Sequence, residues 1–100
     1  MYLAMNRFKI AHGFEEGFEK IWRERDSYLS TVPGFKTFSL MKGPATEEYV
    51  LYASHSVWES KEVFTAWTES ESFRKAHAQT SAPKGTYLDH PELETFESVL

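Results

Sequence analysis

The chain has 100 residues, a formal net charge of −4 and no cysteine. That length holds a single domain, residues 1–100, and the absence of cysteine excludes disulfides, thiolate metal sites and a cysteine nucleophile. Charges of both signs are interspersed without the basic stripe of a nucleic-acid binder, no run approaches the roughly 20 apolar residues of a membrane span, and no basic segment leads into an apolar one at the N-terminus, so a soluble, cytoplasmic protein is expected.

Residues 2–10 alternate. Tyr2, Ala4, Asn6, Phe8 and Ile10 share one side, and Leu3, Met5, Arg7 and Lys9 the other, which predicts a strand. After His12-Gly13, apolar residues recur at helical spacing through Phe14, Phe18, Ile21, Trp22, Tyr28, Leu29 and Val32, and charged residues fill the opposite side. This predicts an amphipathic helix of about five turns, stopped at Val32-Pro33-Gly34 because proline cannot continue a helix. Residues 35–42 alternate again, Gly43 to Glu47 read as a turn, and residues 48–58 form a third strand. Tyr49, Leu51, Ala53, His55 and Val57 lie on one face of it, and Val50, Tyr52, Ser54, Ser56 and Trp58 on the other. The two strands make a hairpin.

Ser60 can cap a helix carrying Val63, Phe64 and Trp67 on one side, and Ser70 a second one carrying Phe73, Ala76 and His77, with a break near Glu69-Ser70. Residues 80–91, with Pro83, Gly85, Asp89 and Pro91, read as a long loop of the kind that often serves as a lid. Residues 92–99 alternate and give a last strand. Strand, helix, strand, strand, helices, strand is an α+β order, a ferredoxin-like antiparallel sheet with helices on one face. The uncovered face, and an aromatic content of 16% with 8 Phe, 5 Tyr and 3 Trp, point to a homodimer packed sheet against sheet, a bound flat ligand, or both.

The segment from Phe64 to His77, Phe-Thr-Ala-Trp-Thr-Glu-Ser-Glu-Ser-Phe-Arg-Lys-Ala-His, resembles the Trp-to-His segment of haem-degrading monooxygenases of the Isd type, within the antibiotic-biosynthesis monooxygenase (ABM) superfamily. Met5-Asn6-Arg7-Phe8 is similar to the strand carrying that family's asparagine, and Val57-Trp58-Glu59-Ser60-Lys61 to its strand-to-helix junction. The resemblance implies a dimeric α+β barrel that binds haem as substrate and cofactor. It implies His77 as the axial ligand of the haem iron, Asn6 as a hydrogen-bond donor near the distal ligand or pyrrole edge, and Trp67 pressing the porphyrin out of plane, with Phe64 and Phe73 lining the site. Dioxygen and an external electron donor, an unidentified reductase or small reductant, would then open the ring and release iron.

The residues also have plainer readings. A lone helix histidine is ordinarily solvated or at the edge of the core, a tryptophan such as Trp67 is ordinarily core, and Asn6 is ordinarily a hydrogen-bonded strand residue. A neutral imidazole is nonetheless a standard haem ligand, and an amide amid an apolar strand needs a partner. Arg7, Arg74, Lys75 and Lys84 are candidates to meet haem propionates. His12 sits at a strand–helix corner as a cap or surface residue; His90 reaches a site only if its loop closes; His55, on an apolar strand face, departs from the more aliphatic family pattern. No histidine or carboxylate trio has metal-ligand spacing. Two other functions stay open: a cofactor-independent monooxygenase of a quinol or polyphenol, which needs no axial ligand, and a non-catalytic haem-binding module.

Overall fold

The alternation of the first strand organises the molecule. In the computed structural model, which describes residues 1–25, 28–78 and 82–100 and leaves the side chains at 72 and 76–78 undescribed, β1 (Tyr2–Ala11) lies at the centre of a four-stranded antiparallel sheet. The order is β2 (Phe35–Ala45), β3 (Tyr49–Trp58), β1, β4 (Glu92–Glu97). The helices α1 (Glu15–Glu24), α2 (Lys61–Thr68) and α3 (Glu71–Ala78) complete the expected ferredoxin-like α+β fold. Tyr2, Ala4, Phe8 and Ile10 are buried on the helix side, beside Val50, Tyr52 and Trp58 of β3. Among the described residues no helix is long and apolar enough to cross a membrane.

Two core clusters follow from that pairing. One gathers Phe8, Ile10, Phe18, Val50 and Tyr52 under α1, and the phenol of Tyr52 donates to Glu19 Oε2 at 2.5 Å. The other gathers Tyr2, Leu29 and Trp58, with Phe35, Phe64 and Trp67 against them. The indole of Trp58 is fully buried, and its N–H donates to Ser56 Oγ at 3.0 Å, which donates in turn to the Ala4 carbonyl at 3.2 Å. The buried indole is therefore satisfied without leaving the sheet.

Three boundaries differ from the sequence reading. The first helix ends at Glu24, two turns short of Val32. Arg25 takes an extended backbone (φ −74°, ψ 133°), residues 26 and 27 lie outside the described residues, Tyr28 is left-handed at φ 59°, and Leu29–Thr31 form a single 3₁₀ turn. Leu29 still reaches the core, so the apolar spacing is real but does not belong to one helix. Next, Gly43, Pro44 and Ala45 continue β2 rather than forming the turn. The ladder shifts register between Lys42 and Ala45, and β2 is an edge strand, where proline is tolerated. The turn falls at Thr46, whose hydroxyl accepts from the amides of Glu48 at 3.2 Å and Tyr49 at 3.1 Å. Finally, β4 ends at Glu97. Of the expected loop, residues 82–91 are described, and 80 and 81 lie outside the described residues.

Gly34 immediately precedes β2 with φ +83°, and a Cβ there would fall 2.4 Å from Cγ1 of Val63. Glycine alone allows both the backbone angle and this approach of β2 to α2. At the opposite end of the sheet His12 ties the β1–α1 corner to the β2–β3 turn. Its Nε2 lies 2.6 Å from the Thr46 carbonyl and its Nδ1 3.4 Å from Glu15 Oε2, and Glu15 also accepts from the Gly13 amide at 2.6 Å.

Acceptors on both ring nitrogens favour the imidazolium. The Thr46 carbonyl above all, then Glu15, raises His12 above its ordinary 6.5, and hydrogen bonds from backbone amides and from His12 hold Glu15 below its ordinary 4.5. A raised folded-state value gives stability that is complete below pH 6.5 and fades as pH climbs through it; the lowered carboxylate gives stability lost only as pH falls through its depressed value. The contribution of His12 should therefore decline from pH 6 to 8. Urea midpoints of the wild type and of His12→Ala should converge over that range, and a constant gap would show that the imidazole acts by packing alone.

Candidate active site

Asn6 is the one amide on an otherwise apolar strand side. Its neighbours in register are Ser54 on β3 and Leu93 on β4. Its Oδ1 is buried, and among the described residues no donor reaches it. The atom borders a cavity of about 140 Å³ between the sheet and the helices. Ala4, Asn6, Ser54 and Ser56 form its floor, Leu93 its β4 edge, and aromatic rings its sides. A buried acceptor without a donor is costly in a finished core.

The ring walls are placed by the local structure. On one side Trp22 of α1 stacks on Phe38 of β2, with centroids 5.6 Å apart and planes 17° from parallel, and the Arg25 guanidinium carbon lies 4.4 Å from the Trp22 ring centroid. On the other side stand Phe64 and Trp67 of α2 and Phe73 of α3. Ser60 Oγ accepts from the Val63 amide at 3.3 Å and starts α2. Ser70 makes the break: its Oγ donates to the Trp67 carbonyl at 2.6 Å and accepts from the Phe73 amide at 3.2 Å. One hydroxyl thus ends α2 and caps α3. The resulting bend sets Phe73 edge-on to Trp67, with ring centroids 4.8 Å apart at 86°, while Trp58 backs Trp67 at 5.2 Å.

Of the expected site residues, Asn6, Phe64, Trp67 and Phe73 border this one cavity. His77 falls on α3, and its side chain lies outside the described residues. Arg7 points to the opposite face of the sheet, where it pairs with Glu94 at 3.1 Å. Arg74, Lys75 and Lys84 are exposed and border none of the described cavities. Among the described residues the cation bordering the slot is Arg25, to which the sequence reading assigns no role. Burial holds its guanidinium below the ordinary value, with Tyr87 opposing that shift, and burial likewise pushes the Tyr87 phenol up. His90 also lies closer than expected: it borders a second cavity, of about 330 Å³, whose wall includes Asn6, Trp22 and Arg25. A third, of about 280 Å³, meets the slot at Trp22 and Phe38.

Comparison with known proteins adds the family. The antibiotic biosynthesis monooxygenase family matches residues 1–79. A heme-degrading monooxygenase of Bacillus cereus (strain B4264) is 28% identical over 94 residues, covering 90% of this chain and 83% of its own. Among solved structures, the haem degrader MhuD from Mycobacterium tuberculosis, with two haems bound in its active site, is 28% identical at a TM-score of 0.75 over 100% of this chain and 97% of its own. SnoaB from Streptomyces nogalater, a cofactor-independent oxygenase, shares the fold at a TM-score of 0.67 and 15% identity, over 99% of this chain and 94% of its own.

Proposed function

The chain belongs to the antibiotic biosynthesis monooxygenase family, and within it we propose that it degrades haem, with Asn6, Trp67 and His77 as the working residues. The observation that carries this reading is a buried amide oxygen without a donor at the floor of an aromatic slot. The named relatives at 28% identity support haem as the ligand.

The residues present fit such a ligand. Flat rings on both sides of the slot, Trp22 and Phe38 against Phe64, Trp67 and Phe73, suit a planar macrocycle. Two further cavities, of about 280 and 330 Å³, share Trp22 as a wall with the slot. When bound, haem supplies both the iron that activates dioxygen after reduction by an external donor and the carbon skeleton that is oxidised. The chain's part is to hold and shape. His77 would offer a neutral imidazole nitrogen to the iron. Asn6 would present its amide to the oxygen side, in a site that excludes bulk water and so strengthens the hydrogen bond. Trp67, backed by Trp58 and edged by Phe73, would offer the macrocycle a stiff surface. The open sheet face carries Leu3, Met5 and Val57 with exposed Met41 and Phe96, and a homodimer would cover it.

One observation favours a second reading. A cavity of about 140 Å³ alone suits a small phenol better than a porphyrin, as expected for cofactor-free oxygenation of a quinol. Hemin titration separates the two. A Soret shift on mixing, then bleaching with a long-wavelength tetrapyrrole product on adding ascorbate in air, is the expected result. No Soret shift would leave the quinol reading, and a stable Soret band that never bleaches would leave a binding module. His77→Ala should lose the ligand-dependent Soret position and stop turnover. Full activity in that variant would remove His77 as axial ligand.

A further inference from the structure

The reaction proposed above consumes electrons, and the cavity of about 280 Å³ lies where they would enter. Trp22 and Phe38 line both this cavity and the slot. Their rings stack, with centroids 5.6 Å apart and planes 17° from parallel, so a conjugated pair forms the wall common to the two spaces. Around that wall the cavity is charged, with Arg23 and Glu19 supplied by α1 and Lys42 by β2. Glu19 is taken up by its neighbours: its Oε2 accepts the buried Tyr52 phenol at 2.5 Å, and its Oε1 lies 3.9 Å from Arg23 Nη2. Among the described residues Lys42 pairs with no carboxylate. Two cations and one carboxylate leave the cavity net positive.

Size and charge together restrict what this cavity holds. It lies just below the roughly 300–1,000 Å³ of pockets that enclose drug-sized ligands, so it is too small to enclose a nicotinamide or flavin dinucleotide. Its positive balance selects an anion, and cations on a cleft rim raise the local concentration of a charged reactant. The flat aromatic wall, with Leu40 beside it, favours a planar face. A small, planar, anionic reductant is an enediol, of which ascorbate is a monoanion at neutral pH.

We propose that the cavity between Arg23 and Lys42 binds an anionic enediol and passes its electron across the Trp22–Phe38 pair to the ligand in the slot. The inference rests on the haem reading above and gives the electron donor a chemical class and a place. In the step, the enediol monoanion loses one electron and its remaining enol proton and departs as the radical anion. The electron reduces ferric haem to ferrous haem. Glu19, with its side chain 35% exposed in the cavity wall, takes the proton and releases it to water.

The test follows reduction of the hemin-loaded protein by ascorbate under argon, with carbon monoxide trapping ferrous haem. The wild-type rate should saturate as ascorbate rises. Lys42→Glu should raise the half-saturating concentration roughly tenfold, without slowing reduction by the methyl viologen radical cation. Leu40→Trp, which fills the cavity and keeps its charges, should abolish saturation. Lys20→Glu makes the same charge change on α1 outside the cavity and should leave half-saturation where it is. A wild-type rate strictly proportional to ascorbate would overturn the proposal and leave haem binding standing. So would equal effects of Lys20→Glu and Lys42→Glu, which would mean that only the overall charge of the protein matters. A hemin titration with no Soret shift would overturn the haem reading and this inference with it.

Discussion

Asn6→Leu is expected to be more stable than the wild type and nearly inactive. The amide oxygen of Asn6 is buried with no donor among the described residues. Folding therefore strips it of water without a replacement, at a cost of about 1–3 kcal/mol. Leucine is close in size and lies among Ala4, Phe64 and Leu93 at the slot, so the swap should raise stability by about 1 kcal/mol. Activity should move the other way. Removing one positioned hydrogen-bonding group from a catalytic site costs on the order of a hundredfold in kcat. Urea denaturation and turnover with hemin and ascorbate read the two effects separately. A variant that is destabilised yet fully active would show Asn6 to be an ordinary strand residue.

Trp58→Ala should be the most damaging substitution in the fold. The indole is fully buried, meets Phe35 at 5.4 Å, Phe64 at 5.5 Å and Trp67 at 5.2 Å, and closes a hydrogen bond to Ser56. Truncating a buried aromatic costs about 3–5 kcal/mol, against the roughly 5–15 kcal/mol that hold a domain together. For a chain of this size each kcal/mol is worth about 4–8 °C in Tm, so a fall of at least about 12 °C is expected. Ligand affinity should fall too, because Trp67 loses the ring behind it. Trp58→Phe, which keeps most of the apolar area, should recover much of both. A loss of only a few degrees in the alanine variant would mean that the cluster of Tyr2, Leu29 and Trp58 collapses around the gap.

The sheet was readable in advance because strand alternation reports directly on which face is buried. The side carrying Tyr2, Ala4, Asn6, Phe8 and Ile10 is the side that meets the helices. Ser60 and Ser70 were readable for a related reason: a cap is a local hydrogen bond, and local chemistry is written in adjacent residues. The end of α1 was not. Tyr28 and Leu29 keep helical spacing from Trp22, and no periodicity registers one extended residue at Arg25 followed by a left-handed one at Tyr28. Arg25 is placed by that helix end. On an unbroken helix Arg25 is one more surface charge; with the helix ended, it is the cation at the slot. Asn6, Phe64, Trp67 and Phe73 border one cavity, but spacing alone could not have brought them together. Three elements of the chain carry them, and only the tertiary fold sets their distances.

Gly34 acts as a gauge. Its missing side chain sets how closely β2 approaches Val63, and Val63 rides on the same short helix as Phe64 and Trp67. The width of the slot is thus metered by a residue that touches no ligand. A larger residue there would act as a shim, lifting α2 and retuning which flat molecules the slot admits.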